Sequence, residues 1–377
     1  MDNARFLLPF VVLALLGLGC STSTSVPDPL PSTAIPVTTI GTRPGVLPPA
    51  AVTPGALEAC LARAGATLTE IQAVNNNDTT AHGDIVTFAV SSDRRLAVAA
   101  QDGSVKFWSL DGFLGVAGGP VLTYGPEVPT ALAADLAWLG DRVAVGDVSG
   151  LVTDYDVAGD SSILGGVEPG TAITAVATTG DGTLLAHADV RSTGHVTVRS
   201  MSGTDVVGPL AVTMDGVHDL AFLPDDTLIV AGGLASPWPS AAVLERWDTT
   251  PGAPVQLVRY QAVSGTDFSG VATSLNGDVV AAVSADVIAI LDGALNERVV
   301  APLTGAGNVG VAVTLGGHFA LTAGSDGLVR ALDTTDAHQV TSLGVADPVA
   351  IRIDPAGELL FVASRGGLVH AYACRAD

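Results

Sequence analysis

Residues Val309–Asp333 read VGVAVTLGGHFALTAGSDGLVRALD. Three short apolar runs are divided by two tight polar breaks, Leu315-Gly316-Gly317 and Asp326-Gly327, and a further run, Gln339–Leu343, follows. Alternating hydrophobic runs joined by turns that carry Gly and Asp are the signature of antiparallel hairpins. The same unit recurs along the chain. Its first strand, a, returns as Ile85–Val90, Ala131–Trp138, Ala172–Thr178, Val217–Leu223, Phe268–Ser274, Val309–Leu315 and Pro348–Ile353, at spacings of 39 to 51 residues. A period of that length in a strand-rich chain predicts a radial array of small sheets, with the a strands lining a central channel.

Most a strands run into a tight polar turn, as in Ser92-Asp93-Arg94, Gly180-Asp181-Gly182, Pro224-Asp225-Asp226, Asn276-Gly277-Asp278 and Pro355-Ala356-Gly357, and then into a small-residue b strand such as Leu96–Ala100 or Leu359–Ala363. The c strands end in Trp108-Ser109, Tyr155-Asp156, Arg199-Ser200, Trp247-Asp248, Leu291-Asp292, Leu332-Asp333 and Tyr372-Ala373. This pattern resembles the WD-repeat family, with Trp247-Asp248 its one literal dipeptide and the Gly-His pairs that open the family's repeat nearly missing. The resemblance implies an all-β, seven-bladed β-propeller of four-stranded antiparallel blades. Outer strands d are expected at Pro120–Tyr124, Ser161–Leu164, Asp205–Leu210, Val255–Gln261, Arg298–Leu303 and Gln339–Leu343, one fewer than seven. In the resembled family an N-terminal strand completes the last blade, and Leu68–Val74 is the candidate. Closure removes the free sheet edges that would template aggregation.

Of three cysteines, Cys60 and Cys374 are placed to reinforce this closure. Cys374 follows strand c of blade seven, and Cys60 lies in a short helix started by Thr53-Pro54 and stopped by Gly65, just before the closing strand. In an oxidising compartment a disulfide here removes loop entropy on the order of 4 to 5 kcal/mol from the unfolded chain. The alternative is a pair of ordinary buried thiols.

The first twenty residues read as an export signal, with Arg5 and the amino terminus positive and Phe6–Leu18 apolar but too short for a standard membrane span. The run ends in Leu16-Gly17-Leu18-Gly19-Cys20, which resembles the lipobox of bacterial lipoproteins. The resemblance implies cleavage before Cys20 and acylation of it, and Ser21 resembles the pattern of lipoproteins sorted to the outer membrane of Gram-negative bacteria. An ordinary secretory signal or an uncleaved anchor are the other readings. Residues 20–55 carry Pro27, Pro29, Pro31, Pro36, Pro44, Pro48, Pro49 and Pro54 and no apolar period, so an extended tether is expected, on the order of 100 Å at about 3.1 Å per residue. Residues 1–19, 20–55 and 56–377 are thus read as signal, tether and propeller.

The 377 residues include 38 acidic and 16 Lys plus Arg side chains, a formal net charge of −22. Such a surface repels phosphate backbones and anionic headgroups, which argues against nucleic acid. Many of the acids, such as Asp102, Asp181 and Asp326, sit beside glycine in turns, where Asp has a local structural reason. The histidines, His82, His187, His195, His218, His318, His338 and His370, form no close cluster with cysteines or carboxylates at metal-ligand spacing. Asn75-Asn76-Asn77-Asp78 reads as a turn rather than a calcium site. No nucleophile elbow or phosphate loop appears, so no catalytic residue, metal or cofactor is expected.

One surface segment stands apart. Ser236-Pro237-Trp238-Pro239-Ser240 is inserted between strands b and c of blade four, and a tryptophan held between prolines suits partner binding. It also suits folding back over its own blade. Trp108, Trp138 and Trp247 lie in strands and read as packing residues. The expectation is a lipid-anchored, non-enzymatic propeller that binds an envelope protein or glycan and touches the membrane through its N-terminal lipid. Other readings are a propeller enzyme of the lactonase or quinone-dependent dehydrogenase kind, or a lipoprotein that assembles outer-membrane proteins, a family that has eight blades.

Overall fold

A computed structural model describes residues 55–75, 84–110, 122–124, 132–156, 161–166, 171–190, 195–201, 207–234, 241–250, 254–262, 266–303 and 307–375. Cys20, the tether and the Pro237-Trp238-Pro239 insertion lie outside the described residues.

Seven four-stranded antiparallel sheets follow one another along the chain, each in the order a-b-c-d. Blade one is Ile85–Val90, Arg95–Ala100, Val105–Ser109 and Leu122–Tyr124. Blade six, built by the opening stretch, is Asn308–Val313, Phe319–Gly324, Leu328–Asp333 and Gln339–Gly344. Blade seven takes Pro348–Ile353, Leu359–Ser364 and Leu368–Arg375 from the C-terminus and its outer strand, Thr67–Asn75, from the N-terminal side. That closing strand runs antiparallel to the last strand from Thr67↔Arg375 to Asn75↔Leu368, with one bulge between Glu70 and Gln72. The ring is therefore sealed by strand pairing between the two ends of the folded region.

The hydrophobic core lies between blades. Phe88, Leu96 and Trp108 of blade one pack with Phe361, Ala363 and Ala350 of blade seven, while Leu223, Ile229 and Leu244 of blade four pack with Phe268, Val280 and Leu291 at blade five. The b strands are continuously apolar because both of their faces are covered by neighbours, as in Val279–Val283, buried throughout. The a-to-b turns share one shape, and in the five that begin with Ser, Thr or Asp a side chain fixes it. A side-chain oxygen at the first position accepts the backbone N–H of the returning strand, as Ser274 Oγ does from Val279 and Thr314 Oγ1 does from Phe319. Three residues on, the backbone enters the left-handed region, at Gly317 (φ 82°) and at the non-glycine residues Arg94 (φ 63°) and Asp226 (φ 62°).

A six-residue helix, α1 (Ala56–Leu61), precedes the closing strand and covers the edge of blades six and seven. Its N-cap is Gly55, whose backbone lies so close to blade seven that an added Cβ would stand 2.3 Å from the Gly357 carbonyl oxygen. Leu57 and Leu61 are buried against Phe319, Leu321 and Leu360. Cys60 on this helix is joined to Cys374 by a disulfide, with Cα atoms 5.9 Å apart.

Candidate functional site

The a strands can be aligned residue by residue on the first position of the following turn: Ser91, Leu139, Thr179, Leu223, Ser274, Thr314 and Asp354. Four residues earlier stand Thr87, Asp135, Ala175, Asp219, Gly270, Gly310 and Ala350. This register is independently marked by a bulge immediately before Thr87, Asp135, Ala175, Asp219, Gly310 and Ala350. Two residues earlier than the turn stand Ala89, Ala137, Ala177, Ala221, Ala272, Ala312 and Arg352, and all seven line one channel cavity of about 780 Å³. Six blades thus present a methyl group, and blade seven presents a guanidinium.

The cavity is widened by the a-to-b turns, where Asp181, Asp226, Pro224, Leu275 and Pro355 line it, and Asp219 and Arg352 line its inner part. Asp219 Oδ1 accepts the Leu220 N–H at 2.8 Å, and Oδ2 accepts the N–H of Val271 in the next blade at 2.8 Å. Asp135 repeats the motif. Its Oδ2 accepts the N–H of Val176 in the next blade at 2.8 Å, and its Oδ1 accepts from the Thr87 hydroxyl of the preceding blade at 3.3 Å. Both carboxyls are interblade staples that satisfy amides left over by the bulged register.

Burial inside the ring pushes the Asp219 carboxyl up to about 7; the charge of Asp135 adds to the rise, and Arg352 and the two amides oppose it. Burial raises Asp135 as well, against Arg352 and its own hydrogen bonds. A carboxyl raised in the folded state holds its proton more tightly there than when unfolded, so the contribution of Asp219 to stability is fully present only below its unfolded value, near 3.8. Stability is then lost as pH rises towards 7. The substitution Asp219→Asn is therefore expected to look progressively better, relative to the parent, as pH rises from 5 to 8. Urea unfolding at both pH values checks this, and an Asp219→Asn penalty that grows with pH would contradict it.

Trp138, expected as a packing residue, is half-buried and also lines the channel cavity. Its indole N–H donates to the Ala89 carbonyl oxygen at 3.0 Å, Phe107 meets it edge-on at 5.8 Å, and the Arg95 guanidinium lies 5.2 Å from the ring centre. Trp108 and Trp247 are buried as expected.

The histidine reading needs a correction. Asp333, Asp336 and His338, within six residues of one another, place their ligand atoms within 4.8 Å. The group is a hydrogen-bonded turn: Asp333 accepts the Thr335 N–H, Asp336 accepts the His338 N–H, and His338 Nδ1 lies 2.6 Å from Asp336 Oδ1. Hydrogen-bonded turns of this kind bring Asp and His side chains together without a metal-ligand role. His318 also proves to be engaged, by Glu58 of α1, with Nδ1 to Oε1 at 2.6 Å.

Asp135, Asp219 and Arg352 were not singled out from the sequence, although their strands were. A catalytic role gains no support from them, since both carboxylates are committed to backbone or hydroxyl donors, and among the described residues no histidine or cysteine lines the cavity.

Residues 75–109, which run into blade one and through its strands a to c, match the family model described as WD domain, G-beta repeat. A comparison with curated proteins found no match. With the seven four-stranded sheets, the match makes this a WD-repeat-like seven-bladed propeller.

Proposed function

We propose that the protein is a protein-interaction scaffold of the cell envelope, exported by its N-terminal signal, lipidated at Cys20 and presenting the b-to-c loop face of the propeller to a protein partner. A WD-repeat-like ring suits this work because rigid blades hold many loops on one face. The observation that carries the reading is an uneven distribution of apolar side chains on that face. In blade two the Val148 N–H donates to Leu132 O, and in blade three the Val190 N–H donates to Ala172 O. The same bond is made in blades one, six and seven by Gln101, Ser325 and Arg365. Among the described residues this position is thus polar in blades one, six and seven and apolar in blades two and three, where Leu132, Val148 and Val190 are 46%, 40% and 56% exposed; Val309 and Leu328 of blade six are less so, at 36% each.

The insertion with Trp238 is rooted on the same face in the next blade, between the paired residues Leu234 and Ala241. Exposed apolar groups gathered on one side of a rigid face fit the buried centre of an interface, with Trp238 as its anchor. The mature N-terminus at Cys20 supplies the address; none of the described helices is long and apolar enough to cross a membrane.

Cross-linking in intact envelopes tests the partner. The triple substitution Leu132→Ser, Val148→Ser, Val190→Ser, and separately Trp238→Ala, are expected to lose the cross-linked protein while leaving the thermal midpoint within about 2 °C, as surface changes do. Retention of the same adduct by both variants would refute the face assignment, and capture of a glycan instead of a protein would refute the partner class. Loss of membrane association in Cys20→Ser is the expected result for the anchor.

A further inference from the structure

Arg352 is the exception in the alanine ring, and its bonding leaves it unspent. Its Nη1 donates to the carbonyl oxygen of its neighbour Ile351 at 2.9 Å. Among the described residues no carboxylate stands within ion-pair distance of the guanidinium, and no other acceptor meets it. Asp135 and Asp219 act on it through space, and each has its own hydrogen-bond donors. The Nε–Nη2 edge, the pair of parallel donors that matches a carboxylate side-on, is therefore open to the cavity.

The surroundings say what else a ligand must be. The six alanines keep the ring wide, and the space of about 780 Å³ is of the size that accepts a small organic molecule. Phe222, Val313, Leu275 and Leu315 give the cavity apolar walls. Asp181, Asp226 and Asp354 towards the turns give it negative charge, while Asp219 inside it is held largely protonated at pH 6 by its burial. Such a field disfavours phosphates and polycarboxylates and tolerates one negative charge, provided it is neutralised at contact.

We propose that the central channel binds a small monocarboxylate with an apolar body, its carboxylate paired side-on with Arg352. The same chemistry is offered by a free acid and by the C-terminal carboxylate of a peptide.

Titration calorimetry at pH 6 with N-acetylphenylalanine and with its amide is the test, joined by N-acetyl-Ala-Ala-Ala-Phe as free acid and as amide. The acids are expected to bind at least tenfold more tightly than their amides. Binding of the tetrapeptide acid assigns a chain end as a source, and binding of N-acetylphenylalanine alone assigns a free acid. Arg352→Met is expected to abolish the preference for acid over amide. Should Arg352→Met fail to fold, because the charge near Asp135 and Asp219 is gone, Arg352→Lys keeps that charge without the paired edge and is expected to lose the preference at least fivefold. Equal binding of acid and amide, no binding of either up to millimolar concentration, or an undiminished preference in the Arg352 variant that folds overturns the proposal.

Discussion

Replacing Cys374 by Ser is expected to lower the thermal midpoint by about 10 °C, and reduction of the parent protein is expected to do the same. The bond spans a sequence separation of 314 residues, nearly the whole folded region. A cross-link over so long a loop removes unfolded-state entropy on the order of 5 kcal/mol, and a protein of this size loses roughly 2 °C per kcal/mol. Location gives the effect a local signature. The Leu68–Cys374 pair of the closing strand lies beside the bond, and opening there unzips blade seven without disturbing its a and b strands. Amide exchange should therefore accelerate in Thr67–Asn75 and Leu368–Arg375 before it does in Leu359–Ser364. Calorimetry with and without reductant, paired with exchange, checks both parts. An unchanged midpoint would show that strand pairing alone seals the ring.

That seam was legible in the sequence because it needed only counting: six outer strands for seven blades, and an orphan strand ahead of the first. The a, b and c strands were legible because buried strands alternate or run apolar and end in turns with chemical reasons of their own. The outer strands blurred by a residue or two, as at Glu297–Pro302, where four of six residues are exposed and the solvent face carries little pattern.

The channel was hidden for a different reason. Asp135, Asp219 and Arg352 are unremarkable one at a time and become visible only when strands are aligned by register, so that one arginine faces six alanines. Glu58 was hidden by distance. A glutamate in the first turn of a short helix has an ordinary explanation in the helix dipole, and its partners lie 256 to 260 residues away.

Glu58 is also where the second large effect is expected. It is 2% exposed, and its carboxylate accepts four hydrogen bonds from the turn of blade six: from Thr314 Oγ1, Gly316 N and His318 N at 2.9 Å each, and from the His318 ring at 2.6 Å. Burial by itself would raise its pKa, but these bonds outweigh burial and hold it below the usual carboxylate value. Glu58→Ala strips a buried, charge-assisted acceptor from the buried Thr314 hydroxyl and from three part-buried bonds of Gly316 and His318, and is expected to cost about 4 kcal/mol.

The pH dependence has a definite sign. A carboxyl depressed in the folded state stabilises the fold above its unfolded pKa, near 4.5. That contribution is lost as pH falls through the lower folded value. The gap between parent and Glu58→Gln should therefore be full at pH 7 and narrow towards pH 3, as urea unfolding at the two values would show; a constant gap would refute the assignment.

Glu58 and Cys60 share one helix, so they do not act independently. Once either anchor is cut, the helix docks more weakly, and the second cut has less docking left to remove. The double variant Glu58→Ala, Cys60→Ser should accordingly lose less than the sum of the single losses. Simple additivity would instead mean that the disulfide acts on the unfolded chain alone and that the helix is held by Leu57 and Leu61.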